Sequence, residues 1–268
     1  MNFFKKLKRA ITLELREHKS SFIVYTVLRI LVIAIVVFAF IFKSYESAFL
    51  GILTLALLIM PSFLQVALKI EIPTLLEIII LLFIFSAEIL GEIGNFYMRF
   101  PYWDTLLHTL NGFLAAAVGF SLVNLLNKSE RFLFELSPIF TCLVAFCFSM
   151  TIGVLWEMFE YSMDTFFLFD MQKDTIINQI SSVTFDPALS NKVYTISGIE
   201  SVDINGKIIN GYLDIGLIDT MNDLIVNFIG AVVFSVFGFF YTKTKGKGEI
   251  VKNLMPTVKK KENDYLKN

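Results

Sequence analysis

Four short sets of polar residues carry the side-chain types able to do chemistry in this chain, and each set is spaced for one helix face. Glu88, Glu92 and Asn95 are separated by 4 and 3 positions, as are Asp104, His108 and Asn111; Glu157, Glu160 and Asp164 by 3 and 4, and Asp219, Asp223 and Asn227 by 4 and 4. At 3.6 residues per turn, each set forms a stripe. All four lie in strongly apolar surroundings, where an ionisable group costs several kcal/mol unless it faces protein or a wet cavity. Eight carboxylates, those of Glu88, Glu92, Asp104, Glu157, Glu160, Asp164, Asp219 and Asp223, share this setting with one imidazole, His108, and with Arg99. So many like charges require either protons or cations. A carboxylate-rich set with one imidazole suits Mg²⁺, Mn²⁺ or Ca²⁺, and a carboxylate-bridged zinc or iron pair is also open. The expected cofactor is therefore a divalent metal ion. Asp104, His108, Glu157, Glu160, Asp219 and Asp223 are its expected ligands, with Glu88, Glu92, Asn111, Asp164 and Asn227 as supporting polar groups.

Such a site would polarise an ester or phosphoryl oxygen and lower the pKa of water, with Glu157 or His108 as general base. No Gly-x-Ser-x-Gly, paired-His zinc helix or phosphate-binding glycine loop accompanies it. The motifs thus leave the reaction class open. Each residue also has a plain structural role available. Asp104 and Asp164 can be solvated at an interface, Asp219 can favour a helix N-terminus, and His108 can be a packing histidine. Glu77 reads as interfacial, His18 as a surface residue, and Tyr102, Trp103, Trp156 and Tyr161 as interfacial aromatics.

The elements that must position these groups follow from composition. Of 268 residues, 56% are hydrophobic and 18% charged, with mean hydropathy +0.68, which places the chain in lipid. A hydrocarbon core about 30 Å thick takes about 20 apolar residues per helix. That length selects six spans near Phe22–Phe42, Ala48–Leu68, Pro73–Phe96, Trp103–Leu126, Phe132–Asp164 and Leu217–Tyr241. The fold class expected is all-α, a polytopic helical bundle of about six transmembrane helices. Residues 1–21 form a basic amphipathic arm, 22–241 the membrane domain, and 242–268 a lysine-rich tail. Within the membrane domain, residues 165–216 form an outer loop. There Val193–Ile196, Val202–Ile204 and the Asn205-Gly206 turn suggest a small β hairpin.

Lysine and arginine collect on one side of these spans. The arm, the connections at Lys69 and at Lys128 and Arg131, and the tail hold seventeen; Lys43, Arg99, Lys173, Lys192 and Lys207 lie opposite. Retention of positive charge in the cytoplasm puts both termini inside a multi-pass cell-membrane protein. Spans three and five then run outward, and four and six inward, so every polar stripe falls in the outer half of the bilayer. Gly112, Ala115, Gly119, Gly153 and Gly230 beside them permit close helix approach. The net charge of -1 gives no footprint for nucleic acid, and no such partner is expected. Cys142 and Cys147 fall in one apolar run on different faces and read as small hydrophobes.

Asp104-Thr-Leu-Leu-His108 with Asn111-Gly112-Phe113, Trp156-Glu157-Met-Phe-Glu160-Tyr161, and Asp219-Thr-Met-Asn-Asp223-Leu224 with Asn227, Gly230 and Ala231 together resemble the YjdF-like family of bacterial polytopic inner-membrane proteins. Their activity is unknown. The resemblance runs from Glu88 to Tyr241. More distantly, the His-containing helix and the stretch from Asp223 to Ala231 resemble VanZ-type membrane proteins, associated with resistance to glycopeptide antibiotics.

Three functions compete on this basis. The first is a metal-dependent hydrolase or transferase acting on an envelope lipid. The second is a cation or proton transporter, against which the inner halves of spans three to six offer little polar continuation. The third is a non-catalytic membrane protein that binds a ligand.

Overall fold

The computed structural model describes residues 3–127, 136–244, 253–259 and 265. Lys128 and Arg131, six of the eight tail lysines and the expected start of span five at Phe132 lie outside the described residues. Six helical stretches are long and apolar enough to cross a membrane: Lys19–Ile41, Tyr45–Leu68, Thr74–Ile93, Trp103–Asn127, Pro138–Phe167 and Leu217–Lys243. The chain is thus an all-α polytopic membrane protein. It divides into two compact units, Met1–Met150 with Val226–Asn268, and Thr151–Ile225.

In the first unit, α1 (Phe3–Leu15) precedes α2 (Lys19–Ile41), and α1 packs against α4 (Met60–Leu68). The second span is not one helix. It breaks between α3 (Tyr45–Leu57) and α4. Pro61 supplies the reason: its ring collides with the carbonyl four residues back, and that residue is Leu57, where α3 stops. The third span also departs from a plain α-helix. Here α5 (Thr74–Phe85) passes into a π-helical segment, Ser86–Ile93, and Asn95 then takes a left-handed conformation at φ 56°. The short α6 (Phe96–Arg99) leads into α7 (Trp103–Asn127).

Among the described residues this unit has three buried cores, two of them larger than the third. Tyr25, Leu28 and Val32 of α2 meet Leu58, Leu81 and Ile89. Ala116, Ala117 and Phe120 of α7 meet Ala145 of α8 (Pro138–Phe167) and Ala231 and Phe234 of α9 (Leu217–Lys243). Small residues dominate the second core because helices in lipid gain from close van der Waals approach rather than from expelling water. Cys142 is buried in it and Cys147 is exposed, as two faces require. The first unit also contains the two-residue ladder of β1 (Ile70–Glu71) with β8 (Thr257–Val258).

The second unit holds the loop. Its β5 (Val202–Ile204) and β6 (Lys207–Ile209) pair across Asn205-Gly206 as the turn residues predict, with φ of 55° and 86° and the Gly206 N–H donating to Asp203 at 2.6 Å. The other expected strand pairs elsewhere. Residues Tyr194–Ser197 (β4) lie antiparallel to Gln179–Ser182 (β3), and Ile176–Ile177 (β2) to Tyr212–Leu213 (β7). Between β3 and β4, the Asp186 carboxylate accepts from the N–H groups of Ala188, Ser190 and Lys192 at 3.0, 2.7 and 3.2 Å and from the Ser190 hydroxyl at 2.7 Å. The hydroxyl and then the amides hold this carboxyl below its ordinary range. A depressed acid stabilises its loop above the unfolded carboxylate pKa of about 3.9 and loses that contribution as pH falls through the still lower folded value. Hydrogen-exchange protection at Ser190 and Lys192 is expected to persist at pH 6 and to disappear in strong acid.

Candidate functional site

The first unit contributes the early turns of α7. Asp104 and His108 lie one turn apart, with Asp104 Oδ1 3.5 Å from His108 Nε2. His108 is 9% exposed and Asp104 half-buried, so the imidazole is nearly sequestered while the carboxylate beside it stays partly exposed. At 3.5 Å the contact is too long for a strong hydrogen bond. It is close to the separation of two ligands on one ion: donors about 2.1 Å from a tetrahedral centre stand about 3.4 Å apart.

One turn deeper, α7 is tied to α9. Asn111 Nδ2 donates to Asn227 Oδ1 at 3.1 Å, and Asn227, 1% exposed, turns its own amide toward the Ser149 carbonyl at 3.5 Å. The Ser149 hydroxyl donates to the Gly112 carbonyl at 2.7 Å. This polar crossing depends on glycine. A Cβ on Gly112 would overlap the Asn227 carbonyl, and one on Gly230 the Thr109 carbonyl. Asn111 and Asn227 therefore lock helix to helix and fix the turn on which His108 sits. Asn227→Ala is expected to cost about 1–2 kcal/mol, because Asn111 loses its partner in a setting with little water; thermal unfolding in detergent measures it.

The second unit holds Glu157, Glu160, Asp164, Asp219 and Asp223. Glu157, Glu160 and Asp223 are buried, at 6%, 7% and 3% exposure. Trp156 does more than sit at an interface: its indole N–H donates to Glu160 Oε1 at 2.7 Å, which orients that carboxylate. Asp164 accepts from the N–H groups of Met171 and Gln172 at 2.6 and 2.8 Å, and Asp219 from that of Lys173 at 2.7 Å. Both therefore brace the loop as it leaves α8 and enters α9. Asp214, which the sequence reading did not single out, does the same for Thr175 and Ile218 at 2.7 and 2.9 Å. Its place three residues before α9 was the available signal.

Glu88 and Glu92 are half-buried on the π-helical segment, and Asn95, beyond it, is exposed. The widened turn breaks the expected three-residue stripe after Glu92. Trp103 is likewise bound rather than merely interfacial. Its indole N–H reaches the Ser86 carbonyl at 3.3 Å, and its ring packs edge-on against Phe96 with centroids 4.9 Å apart.

The other end of α5 carries polar groups too. Glu77 is buried at 4% exposure, with Gln65 at 3.4 Å; Gln65 in turn accepts from the Ile72 N–H at 2.8 Å. His18 is half-buried rather than solvated. This end of the first unit thus has more buried polar content than the sequence implied.

A family model described as predicted membrane protein (DUF2238) matches residues 24–244. A protein of Thermotoga maritima, named only as an uncharacterized protein, is 30% identical over 94 residues, 35% of this chain and 46% of that protein. The chain thus spans less than half the length of that relative. No solved structure matches.

Proposed function

The chain belongs to the DUF2238 family of predicted membrane proteins, and from that premise we propose that its acidic and histidine residues form a divalent-cation site in the outer half of the membrane, used on an envelope lipid. The carrying observation is the Asp104–His108 pair, a half-buried carboxylate oxygen and a buried imidazole nitrogen 3.5 Å apart. Glu157, Glu160, Asp219 and Asp223 are the further ligands in this reading. The charge distribution supports its orientation, with both termini in the cytoplasm.

The donor chemistry fits a hard or borderline cation, since it combines several carboxylates with one imidazole. A bound divalent ion would supply Lewis acidity toward an ester or phosphoryl oxygen and a more acidic water. The chain's own part is proton handling and placement. Glu157 or His108 takes the proton from the attacking water, and the Trp156 indole holds Glu160 in one orientation. The Asn111–Asn227 bond keeps the His108 turn from rotating.

Elemental mass spectrometry on protein purified without chelator tests the reading. Stoichiometric metal in the native chain, lost in folded Glu157→Gln and His108→Ala variants, is the expected result. A native chain that stays metal-free after incubation with Mg²⁺, Mn²⁺, Ca²⁺ and Zn²⁺ would sink it.

One observation favours a second reading, cation or proton transport. Buried Glu77 lies eleven residues before Glu88 on the same span, about 16 Å at 1.5 Å per residue. Acidic groups therefore occupy both ends of that span. Flux in liposomes without lipid turnover would select this reading.

A further inference from the structure

Residues 253–259 are bound to the first unit by three kinds of contact. Thr257 and Val258 pair with Glu71 and Ile70, and the Lys259 N–H donates to the Lys69 carbonyl at 3.0 Å. Leu254 is buried with Ile70, Leu76 and Leu114, while Met255 enters the core formed by Phe120, Cys142 and Phe234. Lys259 is only 8% exposed; its ammonium pairs with Glu14 of α1 and lies 3.3 Å from Glu17, with the Tyr265 ring 4.9 Å away.

These contacts differ in what they can hold alone. A two-residue ladder is too short to persist unaided. A buried ammonium survives only while its carboxylates compensate its lost hydration, and removing either partner leaves the other charge exposed to the full desolvation cost. Burial already pushes the Glu14 carboxyl up to about 7 despite the opposing Lys259. The ion cluster is therefore the cooperative element, and the strand and the two apolar side chains follow it.

We propose that residues 254–259 form a releasable strap, locked by Lys259 between Glu14 and Glu17, that closes the end of the first unit where Phe120, Cys142 and Phe234 meet. Its release opens the core around Cys142. Pro256 also lines one end of an apolar groove of about 140 Å³ beside Ile72 and Leu76, so the same movement unseals that groove.

Cys142 is the built-in reporter. In a Cys147→Ser background, purified in detergent, maleimide labelling of Cys142 is followed by mass spectrometry. Labelling is slow with the strap seated, at least tenfold faster in Lys259→Glu, and slow again when Glu14→Lys is combined with it. A chain ending at Thr244 labels as fast as Lys259→Glu. A Glu71→Cys/Thr257→Cys pair, placed on facing ladder positions, tests the same point in a native-like chain: oxidation slows Cys142 labelling and reductant restores it. Equal rates in the locked and reduced chains, or slow labelling in a monodisperse, helical chain ending at Thr244, would overturn the strap.

Discussion

Gly230→Val is expected to abolish recovery of monodisperse protein, the largest effect of any single substitution considered. At this position a Cβ falls on the Thr109 carbonyl, and the reciprocal Gly112 position meets the Asn227 carbonyl. Overpacking a side-chain contact typically costs about 1–3 kcal/mol because rotamers yield. Backbone has no rotamers, so α7 and α9 must separate. Separation also breaks the Asn111–Asn227 bond and disturbs the core where Ala231 and Phe234 meet Ala116 and Phe120. Gly112→Val is expected to fail in the same way, and Gly198→Val, which meets nothing within 4 Å but sits at φ 68°, to cost far less. Size-exclusion profiles in detergent and thermal midpoints decide this; a Gly230→Val chain with a native profile would mean that the two helices do not approach so closely.

The second large effect concerns the cation. A ligand that binds only the folded chain stabilises it by RT ln(1 + [L]/Kd), about 2.7 kcal/mol at one hundred times Kd. Titrating Mg²⁺, Mn²⁺, Ca²⁺ or Zn²⁺ into chelator-treated protein is therefore expected to raise the thermal midpoint by several degrees for the preferred ion. Asp104→Ala and His108→Ala are expected to remove that rise. Each deletes one of two donors 3.5 Å apart, while Asp186→Asn, whose carboxylate serves the backbone between β3 and β4, keeps the rise. Retention of the full shift in both α7 variants would exclude the pair as ligands.

Much of the architecture was legible in the residues, for identifiable reasons. Six spans follow from apolar length, and the Asn205-Gly206 turn follows from the need for two positive φ values. The close approach at Gly112 and Gly230 was readable as small residues beside polar stripes. The break before Pro61 was equally available, because proline excludes the carbonyl of Leu57, but apolar continuity masked it. Other features had no local signature. The pairing of Tyr194–Ser197 with Gln179–Ser182 rather than a nearer strand is a long-range choice, and no residue type announces a π-helical segment. For the site, spacing put Asp104, His108 and Asn111 on one stripe of α7 and Asn227 on a stripe of α9, and a side-chain hydrogen bond joins Asn111 to Asn227. Spacing gave no sign that acids of these stripes also brace the loop, as Asp164 and Asp219 do by accepting from backbone amides. Lys259 went unnoticed because a tail rich in lysine reads as solvated charge, and only its two glutamates make it particular.

The π-helical segment gives the third span a gear. Closing bonds from i to i+5 instead of i+4 stores one surplus residue between Ser86 and Ile93. Reversion to i+4 bonds with every residue retained would index every later position by about 100° about the axis, swinging Glu92 off its present bearing and pulling the Ser86 carbonyl away from Trp103. The aim of the two glutamates is thus set by a countable backbone register, and a single-residue deletion between Ser86 and Ile93 would remove the surplus while leaving the flanking helices on their present bearings.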